Sequence, residues 1–135
     1  MHAFTLRHLM VDLHARTIEP REVVVRAGRI ERIRPCDGPV DPGVLVPGFI
    51  DAHVHVESSM MPPSEFARAV VVHGTVGTVS DPHEIANVLG EPGVQFMLRD
   101  GARRNFHFHF GCPSCVPATA FETAGATLDA QAVRR

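Results

Sequence analysis

The chain has 135 residues, a formal charge of −2 and 44% hydrophobic residues. This is one domain's worth of sequence with enough apolar side chains for a core, which excludes a disordered chain. Acids and bases are intermixed without a basic stripe, no run of about twenty apolar residues occurs, and the first residues lack a signal peptide's long apolar segment, so no nucleic-acid partner, membrane span or signal peptide is expected.

Residues 1–46 read as short strands and turns. Glu22-Val23-Val24-Val25-Arg26 is a β-branched run, Ala27-Gly28-Arg29 a turn, and Ile30 to Ile33 a second strand. A Pro/Gly-rich connector follows from Pro35 to Gly43. The pattern then changes. Phe49 to Val56 reads as a buried strand, and Pro62-Pro63-Ser64-Glu65 opens a helix with Ser64 as a cap and Phe66, Ala67, Val70 and Val71 on its apolar face. Thr75 to Ser80 is a second strand. Asp81-Pro82-His83-Glu84 starts a helical segment running to Leu89-Gly90, residues 92–104 form another amphipathic helix, and Phe106 to Phe110 alternates as a third strand. The order β-α-β-α-β predicts parallel strands, and ligands in such folds gather at the carboxyl ends of the strands. His53 and His55, Asp81 to Glu84, and Cys112 to Pro117 all fall at or near such ends.

The residue pattern that carries chemistry is Pro47-Gly48-Phe49-Ile50-Asp51-Ala52-His53-Val54-His55. Side chains alternate along a strand, so His53 and His55 point the same way and form a two-point clamp for a transition-metal ion. Asp51 is expected on that face, placed to orient a ligand. A bare His-x-His more often serves packing or the surface, but this strand is otherwise apolar, so its imidazoles need partners. An acid-rich helix start such as Asp81-Pro82-His83-Glu84 is ordinary for dipole reasons. One βα unit after the histidine strand and on the same rim, the three titratable residues are placed to ligate metal, orient substrate or shuttle protons.

Other signals are weaker. Of nine histidines, His107 and His109 make a second His-x-His interleaved with Phe106, Phe108 and Phe110; which set faces the helices is open, and these histidines are read as structural or exposed. Cys112-Pro113-Ser114-Cys115 is a lone CxxC without a second pair, so it reads as a turn lining a cleft. With Cys36, three cysteines are too few for a disulfide framework and fit a reducing, cytoplasmic setting.

The histidine strand after a small β-domain resembles the amidohydrolase superfamily. Val56-Glu57-Ser58-Ser59-Met60-Met61, Asp81 through Gly90, and Pro113-Ser114-Cys115-Val116-Pro117-Ala118 narrow the resemblance to the adenine deaminases. It covers the chain from about Arg21 to the end. It implies an α/β fold: a β-rich segment over 1–46, part of a composite β-sandwich, then from 47 to 135 the first three strands of a (β/α)8 barrel. It further implies metal-dependent hydrolysis of adenine to hypoxanthine and ammonia at a binuclear centre of manganese, iron or zinc. His53, His55 and His83 would be metal ligands, Glu84 and Asp81 catalytic, and Glu57, Ser58, Ser114 and Cys115 substrate-binding.

Length limits that expectation. A closed barrel takes about 250 residues and at least ~200. The ligands of later strands are not in this sequence, so the chain reads as the N-terminal portion of such an enzyme, inactive alone. A partial barrel exposes a strand edge and apolar helix faces, so homo-oligomerisation is expected. The alternatives are a non-catalytic metal- or purine-binding oligomeric module and a different amidohydrolase specificity.

Overall fold

The computed structural model describes residues 3–134 as a mixed α/β chain of two compact units, residues 1–47 and residues 48–135. Among the described residues no helix is long and apolar enough to cross a membrane.

The first unit is a four-stranded sheet in the order β3-β2-β1-β4, from β1 (Ala3–Asp12), β2 (Thr17–Arg26), β3 (Arg29–Pro35) and β4 (Val44–Leu45). β1 and β2 pair antiparallel from Ala3↔Arg26 to Asp12↔Thr17. Their turn is held by Asp12, whose Oδ1 accepts the backbone N–H groups of His14 and Ala15 at 2.9 and 2.8 Å. The expected turn between β2 and β3 is present, with φ of +50° at Ala27 and +74° at Gly28. Two successive positive φ values match the right-handed twist of the flanking strands, and glycine removes the steric cost at one of them.

The two faces of this sheet differ. On one, Glu22 on the central strand lies between Arg7 of β1 and Arg34 of β3, with Nε–Oε distances of 2.8 and 2.7 Å. Arg7 first, then Arg34, hold the Glu22 carboxyl below the usual carboxylate range. The other face is apolar, with Leu6, Met10, Val23, Val25, Ile30 and Ile33 around an open concavity of about 460 Å³.

The second unit places three parallel strands in the order β5-β6-β7: β5 (Phe49–Val54), β6 (Thr75–Ser80) and β7 (His107–Phe110). A 3-10 turn, Val56–Ser59, and helix α1 (Pro63–Val71) connect the first two strands. Two helices, α2 (His83–Leu89) and α3 (Glu91–Gly101), connect the next two. They break at Gly90, which has φ +63°. A short helix α4 (Ala130–Arg134) follows β7, its first N–H groups bonded to the Asp129 carboxylate. The carboxyl ends of all three strands share one edge of the sheet, as the β-α-β-α-β order requires.

Val56, Phe66 and Met97 form the core, with Val54, Ile85, Phe108 and Phe110 packed against them. Each such side chain contributes about 1.5–3 kcal/mol by leaving water. This decides the face of β7: its phenylalanines turn to the helices, and His107 and His109 are exposed on the other side.

Three expectations are corrected. β5 is not buried; Phe49 is 58% and Ile50 63% exposed, because the described helices cover one face of the sheet only. Val56, read as the strand's end, lies in the 3-10 turn and is fully buried. Ser64 is not the cap of α1. Pro62 holds that position, and the Ser64 N–H is satisfied from another helix, by Asp100 Oδ2 of α3 at 2.8 Å.

Candidate metal centre

β5 and the extended residue after it deliver two imidazoles to the sheet's carboxyl edge, His53 within the strand and His55 just past its end. His53 Nε2 and His55 Nε2 are 3.1 Å apart. Two nitrogens each bound at about 2.0–2.1 Å to one ion lie roughly 3–3.4 Å from one another, so this pair has the span of a two-point clamp. Without an ion the same distance suits one N–H···N hydrogen bond.

The tautomer of His55 follows from its other nitrogen. Nδ1 lies 2.9 Å from the backbone oxygen of Asp81. A carbonyl only accepts, so Nδ1 carries the proton and Nε2 presents its lone pair toward His53. Glu84 Oε2, 3.0 Å from the same Nδ1, adds an acceptor on that side.

The connection from β6 to α2 supplies the next donors. His83 Nδ1 is 3.1 Å from Asp81 Oδ2, which leaves His83 Nε2 uncommitted. The His55 and His83 rings meet edge to face, 4.9 Å between centroids. One donor atom each from His55, His83 and Glu84 lie within 4.8 Å of one another. Glu84 Oε2 is buried and takes part in no well-directed hydrogen bond. Two imidazoles and a carboxylate within this span are the donor chemistry of a divalent transition-metal site.

Behind this cluster two carboxylates meet. The 3-10 turn after β5 places Glu57 at the start of α2, where its Oε1 accepts the Ile85 N–H at 3.3 Å. Ser58 Oγ donates to Glu84 Oε1 at 2.9 Å. Burial first, then the neighbouring Glu84, push the Glu57 carboxyl up. Burial also acts to raise Glu84, but the Ser58 hydroxyl, Glu57 and His55 outweigh it and hold Glu84 down. The shared contact thus moves the two carboxyls in opposite directions, Glu57 up and Glu84 down.

The structure thus brings together His53, His55, Glu57, Ser58, Asp81, His83 and Glu84. Ser114 and Cys115 line a cleft that Asp81 and His83 also border. Asp51 does not reach the imidazoles through a hydrogen bond; its Oδ1 accepts the His53 backbone N–H at 3.1 Å. Sequence reasoning missed Asn87 and Glu122, which line the same cleft. Neither has a periodic or spacing signal, because chain segments distant in sequence bring them there.

Residues 44–135 match the family model described as the amidohydrolase family. The chain belongs to that family. This amidohydrolase is 63% identical over 131 residues to an adenine deaminase of Salinibacter ruber, covering 97% of the chain and 24% of the relative. It is 60% identical over 118 residues to an adenine deaminase of a Sulfurovum species, covering 87% of the chain and 22% of the relative. A third adenine deaminase, from Methanothermobacter thermautotrophicus, is 53% identical over 116 residues, covering 86% and 21%. The amidohydrolase chain spans about a quarter of the length of these curated relatives.

Proposed function

We propose that this chain is part of an adenine deaminase, converting adenine and water to hypoxanthine and ammonia. The observation that carries the reading is the His53/His55 clamp, 3.1 Å across, with His55 fixed in its metal-facing tautomer by the Asp81 carbonyl. The names of its relatives supply the substrate. On this reading the second unit contributes the first three strands of a (β/α)8 barrel, and further strands complete both the barrel and the ligand set. The first unit is then part of a β-sandwich.

His53, His55 and His83 are the donors this chain offers to a binuclear centre of manganese, iron or zinc. Such an ion supplies a water acidified to near neutral pH. The rest of the chemistry belongs to the side chains. Ionised Glu84 takes a proton from the water as it adds to C6, and returns it to the departing amine. Asp81 holds His83 through Nδ1, and Glu57 and Ser58 fix Glu84 at the rim. Ser114 and Cys115 border the purine. Water adds across C6, the C6–N6 bond breaks, and the amine leaves as ammonia. The three cysteines are free, which supports a cytoplasmic setting.

The test is ammonia release from adenine by the manganese-loaded, full-length polypeptide that carries this chain. Turnover lost in H53A and H55A is the expected result; turnover retained in the double variant contradicts the assignment. The 135-residue chain alone is expected to release no ammonia, because it holds only part of the ligand set.

A further inference from the structure

After β7 the chain enters a long loop that is tightly held. Leu128 N–H donates to Val116 O at 2.9 Å, and the N–H groups of Gly125 and Ala126 both donate to Asn87 O, at 2.7 and 3.2 Å. A Cβ on Gly125 would collide with the Val88 carbonyl oxygen, and one on Gly90 would come within 3.1 Å of Ala126 Cβ. The loop is therefore pressed onto the carboxyl end of α2 without room for side chains at the contact. It is a fixed wall.

That wall borders a cleft of about 350 Å³ lined by Asp81, His83, Asn87, Ser114, Cys115 and Glu122 among others. Small-molecule pockets run from about 300 to 1,000 Å³, so a single heterocycle suits this one. The polar groups of the cleft divide into two sets. Asp81 and His83 are bonded to each other. Asn87 uses its backbone oxygen to hold the loop, and Glu122 uses its backbone N–H toward Thr119 O. The Asn87 amide and the Glu122 carboxylate have no hydrogen bond or ion pair among the described residues, and both border the cleft.

We propose that Glu122 and Asn87 determine substrate specificity, Glu122 by accepting the imidazole-ring N–H of a free purine base and Asn87 by pairing with a neighbouring ring nitrogen. This rests on the deaminase reading above. The bond that breaks is at C6, so that edge of the purine faces Asp81 and His83, where the cleft borders the His55–His83–Glu84 cluster. The five-membered ring then points away from them, and its N–H is the group a carboxylate recognises. A purine substituted on that nitrogen has no N–H to give and forfeits the charge-assisted hydrogen bond to Glu122.

The experiment uses the full-length, metal-loaded polypeptide carrying this chain, with adenine and 9-methyladenine as substrates and hypoxanthine binding by calorimetry as a readout independent of turnover. Sites that read an N–H reject analogues lacking it by up to about 10⁴–10⁵-fold, so wild type is expected to prefer adenine strongly. E122Q is expected to lose at least about tenfold of that preference, through KM more than kcat, and to weaken hypoxanthine binding by a similar factor, with E122D restoring part of both. N87A is a second variant, expected to weaken hypoxanthine binding in the same direction. Metal content equal to wild type shows that each variant keeps its fold at the centre. Unchanged preference and unchanged hypoxanthine binding in both variants overturn this inference alone. Wild type that turns over neither base overturns the deaminase reading and this inference with it.

Discussion

The two ring nitrogens of His55 do different work. Nδ1–H is held by the Asp81 carbonyl with Glu84 beside it, and Nε2 faces His53. Glu57 acts one step further back, capping the start of α2 through the Ile85 N–H. Truncation by E57A removes that acceptor and is expected to cost about 0.5–2 kcal/mol, as for other lost helix caps. E57Q keeps an amide oxygen in place and is expected to cost less. Urea unfolding of the two variants checks the order; equal losses would mean that Glu57 does not act through this bond. The meeting of His53 and His55 was legible in the sequence because alternation of an extended chain puts both on one side. The Glu57–Glu84 contact was not legible. It joins a 3-10 turn to a helix start 27 positions later, and neither element marks the other in the sequence.

At the scale of elements, α1 and α3 are tied by a carboxylate rather than by a local cap. Asp100 of α3 accepts the Ser64 N–H at the start of α1 and pairs with Arg103 at 3.2 Å. A carboxylate at a helix N-terminus also meets the positive end of the helix dipole. D100A is expected to destabilise the chain by about 1–3 kcal/mol, since it leaves a buried N–H unpaired. Burial acts to raise the Asp100 carboxyl, but the Ser64 hydrogen bonds and Arg103 prevail and hold it below its usual value. A carboxyl lowered in the folded state stabilises above its unfolded pKa of about 3.9 and loses that contribution as pH falls through the folded value. The gap in unfolding free energy between wild type and D100N is therefore expected near pH 7 and should narrow below about pH 4. A gap independent of pH would remove the charge from the explanation. The helix itself was read correctly from Pro63 and the apolar spacing, but Ser64 was the wrong cap. A local motif cannot reveal that the acceptor comes from residue 100. The faces of β7 were equally closed to sequence, because Phe and His alternate with the same period; packing against Val56, Phe66 and Met97 decides between them.

At the scale of the whole molecule, the sequence placed strands, helices and the ligand rim in order, yet overestimated burial. Alternation and apolar content describe how a strand sits in a filled core; they do not say how much of that core lies in the same chain. Here Phe49, Ile50 and Val79 are exposed on the sheet and Val71 and Leu98 on helices, and the first unit presents an open apolar concavity. Contiguous apolar patches of a few hundred Å² mark association surfaces. The 135-residue chain is expected to self-associate in a concentration-dependent manner in size-exclusion chromatography with light scattering. A stable monomer over the whole concentration range would contradict this.

The central claim is that His53 and His55 act as one metal clamp. X-ray absorption on the zinc-loaded chain tests it most directly, because it counts imidazole nitrogens at the ion. The account predicts at least two nitrogens at about 2.0–2.1 Å in wild type, and in H53A and H55A a loss of affinity beyond the roughly 10–100-fold that an outer-shell partner costs. Zinc bound with the same nitrogen count and the same affinity in the H53A/H55A double variant would contradict it.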